Sequence, residues 1–387
     1  MINSDTNLKL ERIQKIIVEK QMDACIITSS VNQYWLCGFI FDGYIYIQPE
    51  GNPILFIRRP LNIDHEWVVY IRKPEQIYEL LQNLKQPTPN RLLLETDYLS
   101  YNFTLRLQKA LYVEEIANIS IELRKLRMIK TQYELLQIRK SAEIHSLVYN
   151  KIPSLYRKGM TDIELQIEIE REMRLHGSIG IFRSYGENMD IYMGSLLAGD
   201  NAQATSPFDY ALGGGGISPI LPLGANGTLL NPGTTIMVDM AGNYTPYMDD
   251  MTRTFIVEGA PEIAYLAHSI SIDIHKTIKE ISKSGTSCSE LYNVALEIVK
   301  KNNLEQYFMG TTQQAKFIGH GVGLEINEPP VLTPRSNEIL EEGMAFALEP
   351  KFVLPGIGAV GIENTYIVNE KGIENITICE EELIILK

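Results

Sequence analysis

The chain has 387 residues, 45% hydrophobic and 21% charged, with a formal net charge of -13 and a pI near 5.1. That length predicts two domains, and the apolar content is enough for two globular cores. An acidic surface repels phosphate backbones, which argues against a nucleic-acid partner unless a basic patch intervenes.

The one basic cluster, Arg124, Lys125, Arg127 and Lys130, alternates with Leu123, Leu126, Met128 and Ile129. It reads as the solvated face of a short connector. Cys25, Cys37, Cys288 and Cys379 are scattered and form no CxxC pair, as expected of reduced thiols. The opening MINSDTNLKLERIQKII lacks the apolar segment of a secretory signal, and no apolar run approaches the ~20 residues that cross a bilayer. The expectation is a soluble, cytoplasmic protein with no membrane partner.

Residues 1–125 alternate helical and extended patterns. LERIQKIIVEKQ repeats apolar residues at helical spacing, and DACIITS reads as a buried strand. YIYIQPEGNPILFIR reads as two strands around a turn at Glu50–Asn52. RLLLETD is a further strand and YNFTLRLQKALY a further helix, so this part predicts a small α/β domain. Trp35 and Trp67 are expected in its core.

From residue 126 to 387 the pattern becomes α+β. TQYELLQIRKSAEIHSLVYNKIPSLY reads as one long amphipathic helix. A second runs from an N-cap at Thr161 to a stop at Gly177. A turn-rich region over 184–233 holds GGGG at 213–216, which lacks the flanking strand, helix and lysine of a phosphate loop and reads as mobile or irregular. A strand pair over 235–257, helices over 262–283 and 288–302, and strands over 344–387 complete the chain. His145, His268 and His275 fall on helices and read as surface or packing residues; His65 and His176 also lie outside any motif.

The chemistry concentrates in a few acids. Asp239 and Asp250 lie eleven residues apart in apolar runs separated by turn residues. A hairpin centred near Tyr244–Thr245 would make them cross-strand neighbours. Facing carboxylates repel unless a cation lies between them. Glu349 ends the apolar run GMAFALEP, and Glu363 interrupts GAVGIENTYIV beyond a turn at Pro355-Gly356. His320 adds an imidazole in FIGHGVGLEINEPP. Two aspartates, one histidine and two glutamates suit a pair of divalent metals about 3.5–4 Å apart.

These residues, with the flanking DMTRTF, GHGVGLE and EGMAFALEP, resemble the pita-bread (M24-type) metallopeptidase family in its Xaa-Pro aminopeptidase and prolidase branch. NQYWLCGF and EGNPILFIRR resemble the creatinase-like N-terminal domain that precedes the core in such proteins. The resemblance implies a C-terminal pita-bread catalytic domain and two divalent ions (Mn, Co, Zn or Fe). The ions would be held by Asp239, Asp250, His320, Glu349 and Glu363, with Glu349 as general base. It also implies hydrolysis of a peptide at its N-terminal residue, before proline, and a homodimer contact through the N-terminal domain.

Three positions depart from the family pattern. Asn327 stands where a second histidine is usual, seven residues after His320. No histidine lies between His176 and His268. Gly361 and Asn364 replace an arginine and an aspartate around Glu363. Asn327 is then expected to face the pocket as a catalytic and substrate-binding donor, and the glycines around His320 to let backbone pass close to metal and substrate. Arg183, Tyr185, Ser206 and Tyr210 are further pocket candidates. A non-standard small amide substrate, and a weak or inactive binding protein on the same fold, are the alternatives.

Overall fold

The computed structural model describes residues 5–181, 183–186 and 192–387. The chain divides into two compact units between Arg127 and Met128.

The first unit contains α1 (Thr6–Glu19), β1 (Ala24–Ile27), α2 (Ser30–Cys37), β2 (Asp42–Ile47), β3 (Ile54–Arg59) and β4 (Val68–Tyr70). It continues with α3 (Ile77–Asn83), β5 (Arg91–Leu94), α4 (Tyr101–Leu111), β6 (Glu115–Asn118) and α5 (Ser120–Met128). The strands form one mixed sheet in the order β4-β3-β2-β1-β5-β6. β1 is buried at every residue, as befits a central strand covered on both faces. Buried Glu95 accepts from the backbone N–H groups of Thr28 and Ser29 and from the Asn32 amide, satisfying donors around the start of α2.

The second unit begins with α6 (Gln132–Tyr149), α7 (Ile152–Leu155), α8 (Asp162–Leu175), β7 (Gly194–Ala198), β8 (Thr235–Gly242) and β9 (Asp249–Val257). Helices α9 (Glu262–Ile281) and α10 (Cys288–Lys301) follow, then β10 (Gly319–Gly321), β11 (Glu328–Val331) and β12 (Ala345–Leu348). β13 (Lys351–Leu354), β14 (Gly358–Gly361), β15 (Asn364–Asn369), β16 (Gly372–Asn375) and β17 (Ile384–Leu386) close the chain. Its strands form a four-stranded sheet, β17-β9-β8-β7, a five-stranded sheet, β11-β10-β12-β15-β16, and the β13-β14 pair. Leu165, Ile169 and Met173 of α8 pack on Leu196, Val238 and Phe255 of the first sheet. Ala267, Ile274 and Ile278 of α9, with Leu291 and Ala295 of α10, pack on Phe346, Phe352 and Tyr366. Two amphipathic helix pairs thus cover the outer faces and leave the inner strand faces to the acids.

The structure differs from the sequence expectation at several points. The long helix stops at Tyr149, because Pro153 cannot donate to the Tyr149 carbonyl and its ring would clash there. β7, short and apolar, lies inside the supposed loop and pairs with β8, Ser195 opposite Asp239. The GGGG segment is irregular but tied down: Gly215 N–H donates to Asn201, and Gly216 N–H to the Gly224 carbonyl. The basic connector is only partly solvated. Arg127 and Lys130 are buried, and Lys130 Nζ sits 3.1 Å from Glu328 Oε2, both side chains 1% exposed. Thr161 does cap α8, in a capping box with Glu164, and Gly177 follows its end at φ +96.

Breaking the buried ion pair on one side should cost more than removing it whole. Lys130→Met leaves the Glu328 carboxylate buried without that cation, and a loss of about 3 kcal/mol is expected in urea denaturation. Lys130→Met with Glu328→Leu should recover most of that loss.

Candidate metal centre

The hairpin β8–β9 supplies both aspartates. Its register sets Asp239 opposite Thr252 and Ala241 opposite Asp250, so the acids are diagonal neighbours on one face rather than directly opposed. The six residues between the strands, wider than the expected turn, are fixed by Thr245, whose N–H donates to Ser141 Oγ and whose hydroxyl accepts from Tyr247 N–H. Thr252 ties the hairpin to the last acid: its hydroxyl donates to Glu363 Oε2 at 2.7 Å, and its carbonyl accepts from Glu363 N–H. β10 pairs with β12, His320 opposite Ala347, so His320 lies beside Glu349 at the strand end.

His320 Nε2 lies 3.4 Å from Glu349 Oε1 and 3.9 Å from Asp250 Oδ2. Its Nδ1 lies 3.2 Å from the Gly321 carbonyl. A proton on Nδ1 satisfies that carbonyl and turns the Nε2 lone pair toward the acids. The glycines beside His320 are required by their neighbours in the sheet. A Cβ on Gly319 would come within 2.2 Å of the Ala347 carbonyl, and one on Gly321 within 2.1 Å of the Pro329 carbonyl.

The acids form two groups. Asp250, His320 and Glu363 bring one ligand atom each within 4.8 Å of one another, and so do Asp239, Glu349 and Glu363. Burial pushes the Asp250 carboxyl well above the usual carboxylate range, and the charges of Glu363, Asp239 and Glu349 push it further. Burial likewise raises Glu363, with Lys351 opposing. Such groups ask for a cation.

One cation belongs to the chain itself, and sequence reasoning missed it. Lys351 Nζ lies 2.7 Å from Glu349 Oε2, 2.8 Å from Asp239 Oδ2 and 3.3 Å from Glu363 Oε2. The side chain is 0% exposed. Burial alone would pull this ammonium down, but the three carboxylates hold it well above the ordinary lysine range. The signal was present: in FALEPKFVL a lysine follows Glu349 by two residues inside an apolar run, and alternation places both on one face.

The two groups therefore fit a divalent ion differently. Around Asp250, His320 and Glu363 the fit is good: Glu363 Oε1 is buried without a hydrogen-bond partner, and His320 turns a lone pair inward. Between the Asp239, Glu349 and Glu363 carboxylates the position of a cation is already taken by the Lys351 ammonium.

The remaining candidates separate. Both ends of the Asn327 amide meet the Tyr185 backbone, Nδ2 donating to its carbonyl and Oδ1 accepting from its N–H, each at 2.7 Å. That is a clamp on the 183–185 segment, not the amide turned toward an oxyanion expected from sequence. The Arg183 carbonyl accepts from Ile326 N–H and extends the same clamp. Ser206 and Tyr210 line a cavity of about 340 Å3 with Phe208, Phe317 and Val331; Phe317 contacts the His320 ring and Val331 pairs with His320. Arg183 and Tyr185 are not among its lining residues.

His268 and His275 are buried and brace the β14–β15 junction that carries Glu363. His268 Nδ1 accepts from Gly361 N–H, and Nε2 faces the Glu381 carbonyl. His275 lies between the Ile362 carbonyl and the Tyr366 hydroxyl. Buried Arg253 donates to the Glu363 carbonyl.

The comparisons with known proteins agree with this geometry. The profile of metallopeptidase family M24 matches residues 136–370, and that of the Creatinase/Prolidase N-terminal domain matches residues 9–129. The chain belongs to metallopeptidase family M24, with a creatinase-type N-terminal domain followed by a pita-bread domain. It is 28% identical to a Xaa-Pro dipeptidase of Pyrococcus furiosus, over 97% of this chain and 99% of that one. Its fold is similar to that of the Xaa-Pro dipeptidase from Bacillus anthracis (TM-score 0.81, 24% identity, 98% and 100% of the two chains). It is also similar to that of the prolidase from Pyrococcus horikoshii OT3 (TM-score 0.80, 24% identity, 98% and 100%). Among the described residues no helix is long and apolar enough to cross a membrane.

Burial lowers His275 to about 3 and His268 to about 4, so the unfolded chain takes up those protons first as pH falls. Their contribution to stability is complete above about pH 6.5 and is lost on acidification toward their folded values, by about 1.4 kcal/mol per pH unit for each histidine. His275→Gln removes one such group. The wild type should lose about 2 kcal/mol relative to this variant between pH 7 and pH 5, read by denaturant unfolding at both pH values.

Proposed function

We propose that the chain is a metal-dependent peptidase that hydrolyses the bond between an N-terminal residue and proline. The observation that carries this reading is the Asp250, His320 and Glu363 group, with an unpartnered carboxylate oxygen and an inward imidazole nitrogen, beside Glu349. The full-length similarity to a protein named Xaa-Pro dipeptidase supports the substrate class.

A divalent ion held by Asp250, His320 and Glu363 would supply a Lewis acid that polarises the scissile carbonyl and makes water more acidic. The residues around it have separable tasks. Glu349 keeps one oxygen on Lys351 and turns the other toward His320, which leaves Oε1 to take a proton from water and return it to the leaving nitrogen. Arg253 and Thr252 hold Glu363 from the backbone and side-chain sides. The cavity lined by Ser206, Phe208, Tyr210 and Phe317 has the size of a small-ligand site and an apolar wall suited to a prolyl ring. The Asn327–Tyr185 clamp positions the 183–185 segment rather than touching the reacting atoms.

The full chain, loaded with Mn(II), Co(II) or Zn(II), should split Xaa-Pro dipeptides in preference to Xaa-Ala controls. Glu349→Gln should lower kcat by about 100-fold or more, with metal content retained. Cleavage of longer Xaa-Pro peptides but not dipeptides would assign aminopeptidase rather than dipeptidase action. No cleavage of any Xaa-Pro substrate by loaded protein would overturn the reading.

A further inference from the structure

We propose that the Lys351 ammonium takes the place of one of two metal ions, so that the centre holds a single divalent cation between Asp250, His320 and Glu363. This rests on reading the acidic cluster as a metal centre, and changes its composition: one mobile ion and one covalently tethered cation.

The geometry is specific. An ammonium has three N–H donors, and Lys351 Nζ has three carboxylate oxygens within hydrogen-bond distance, one each from Asp239, Glu349 and Glu363. Every donor is used. A divalent ion needs its carboxylate oxygens at about 2.0–2.2 Å, and it cannot share those three oxygens with Nζ at 2.7–3.3 Å.

The lysine is also held in place. Its backbone pairs with Gly361 across the β13-β14 hairpin. Its carbonyl accepts from Met309 N–H, and its own N–H meets Met309 Sδ. The side chain has no solvent-exposed surface, so a second ion could enter only by expelling it.

Charge points the same way. Asp239, Asp250, Glu349 and Glu363 bring four negative charges, and one ammonium with one divalent ion brings three positive ones. Two divalent ions added to a retained ammonium would leave an excess of positive charge in a buried pocket. The half of the cluster left without a cation is the half where Glu363 Oε1 has no partner.

The test counts ions in the full chain. Wild type, Lys351→Gly, Asp239→Asn and Asp250→Asn are each loaded with excess Mn(II), desalted, and analysed for metal per chain, with calorimetric titration of Mn(II) as the second measurement. The expected result is one ion in the wild type and two in Lys351→Gly. Two ions in the wild type would overturn the lysine substitution and leave the metal centre standing. None in the wild type would overturn both. One ion in both wild type and folded Lys351→Gly would also overturn the proposal, because the lysine would then not be what excludes the second.

If Lys351→Gly does not fold, the aspartate variants decide. Asp239 answers to the ammonium and Asp250 to the ion, so Asp239→Asn should keep its one ion and Asp250→Asn should lose it. Loss of the ion from both would refute the division of labour.

Discussion

Four carboxylates drawn into one pocket, three buried and Asp239 partly so, repel each other, and the second unit is arranged around cancelling that repulsion. A bare acid cannot be buried in this number without cations or protons. β8 and β9 bring Asp239 and Asp250 to one face, and β12, β13 and the β14–β15 junction bring Glu349, Lys351 and Glu363 to meet them. Lys351, with no exposed surface, makes sense only as the partner of these acids. The helices α6, α8, α9 and α10 serve this arrangement by covering the outer faces of the strands with apolar side chains.

Rigidity around the centre comes from polar groups that touch no reacting atom. Thr252, Arg253, His268 and His275 each fasten the segment bearing Glu363, by its side chain or by its backbone. On the other side, Asn327 and Ile326 fasten the 183–185 segment. An ion site is only as selective as the positions of its ligands, so such supports matter as much as the ligands themselves.

Much of this was legible in the sequence. Apolar periodicity located α8, α9 and α10 to within a few residues but ran α6 on through its break at Tyr149, and the spacing of Asp239 and Asp250 announced a hairpin with acids on one face. What escaped depended on three-dimensional neighbours. The hairpin register shifted because the connection runs around Thr245 and Ser141, a partner from a distant helix. The carbonyls of Ala347 and Pro329, which already require the glycines flanking His320, come from other strands, β12 and β11. Arg127 and Lys130 look solvated because their partners, Asn32 and Glu328, are remote in sequence. Lys351 lies one residue beyond the EGMAFALEP motif and outside the motifs that carry the acids.

A tethered cation obeys different rules from a bound one. The occupancy of an ion site follows mass action, so its contribution to stability rises and falls with the free ion concentration. Lys351 is present in every folded molecule at a ratio fixed by translation. Part of the charge balance of the centre is therefore immune to chelators and to swings in metal supply. With Lys351 in place, withdrawing an ion would not release the whole repulsion at once. A protein built this way would lose its chemistry on metal starvation while keeping its shape.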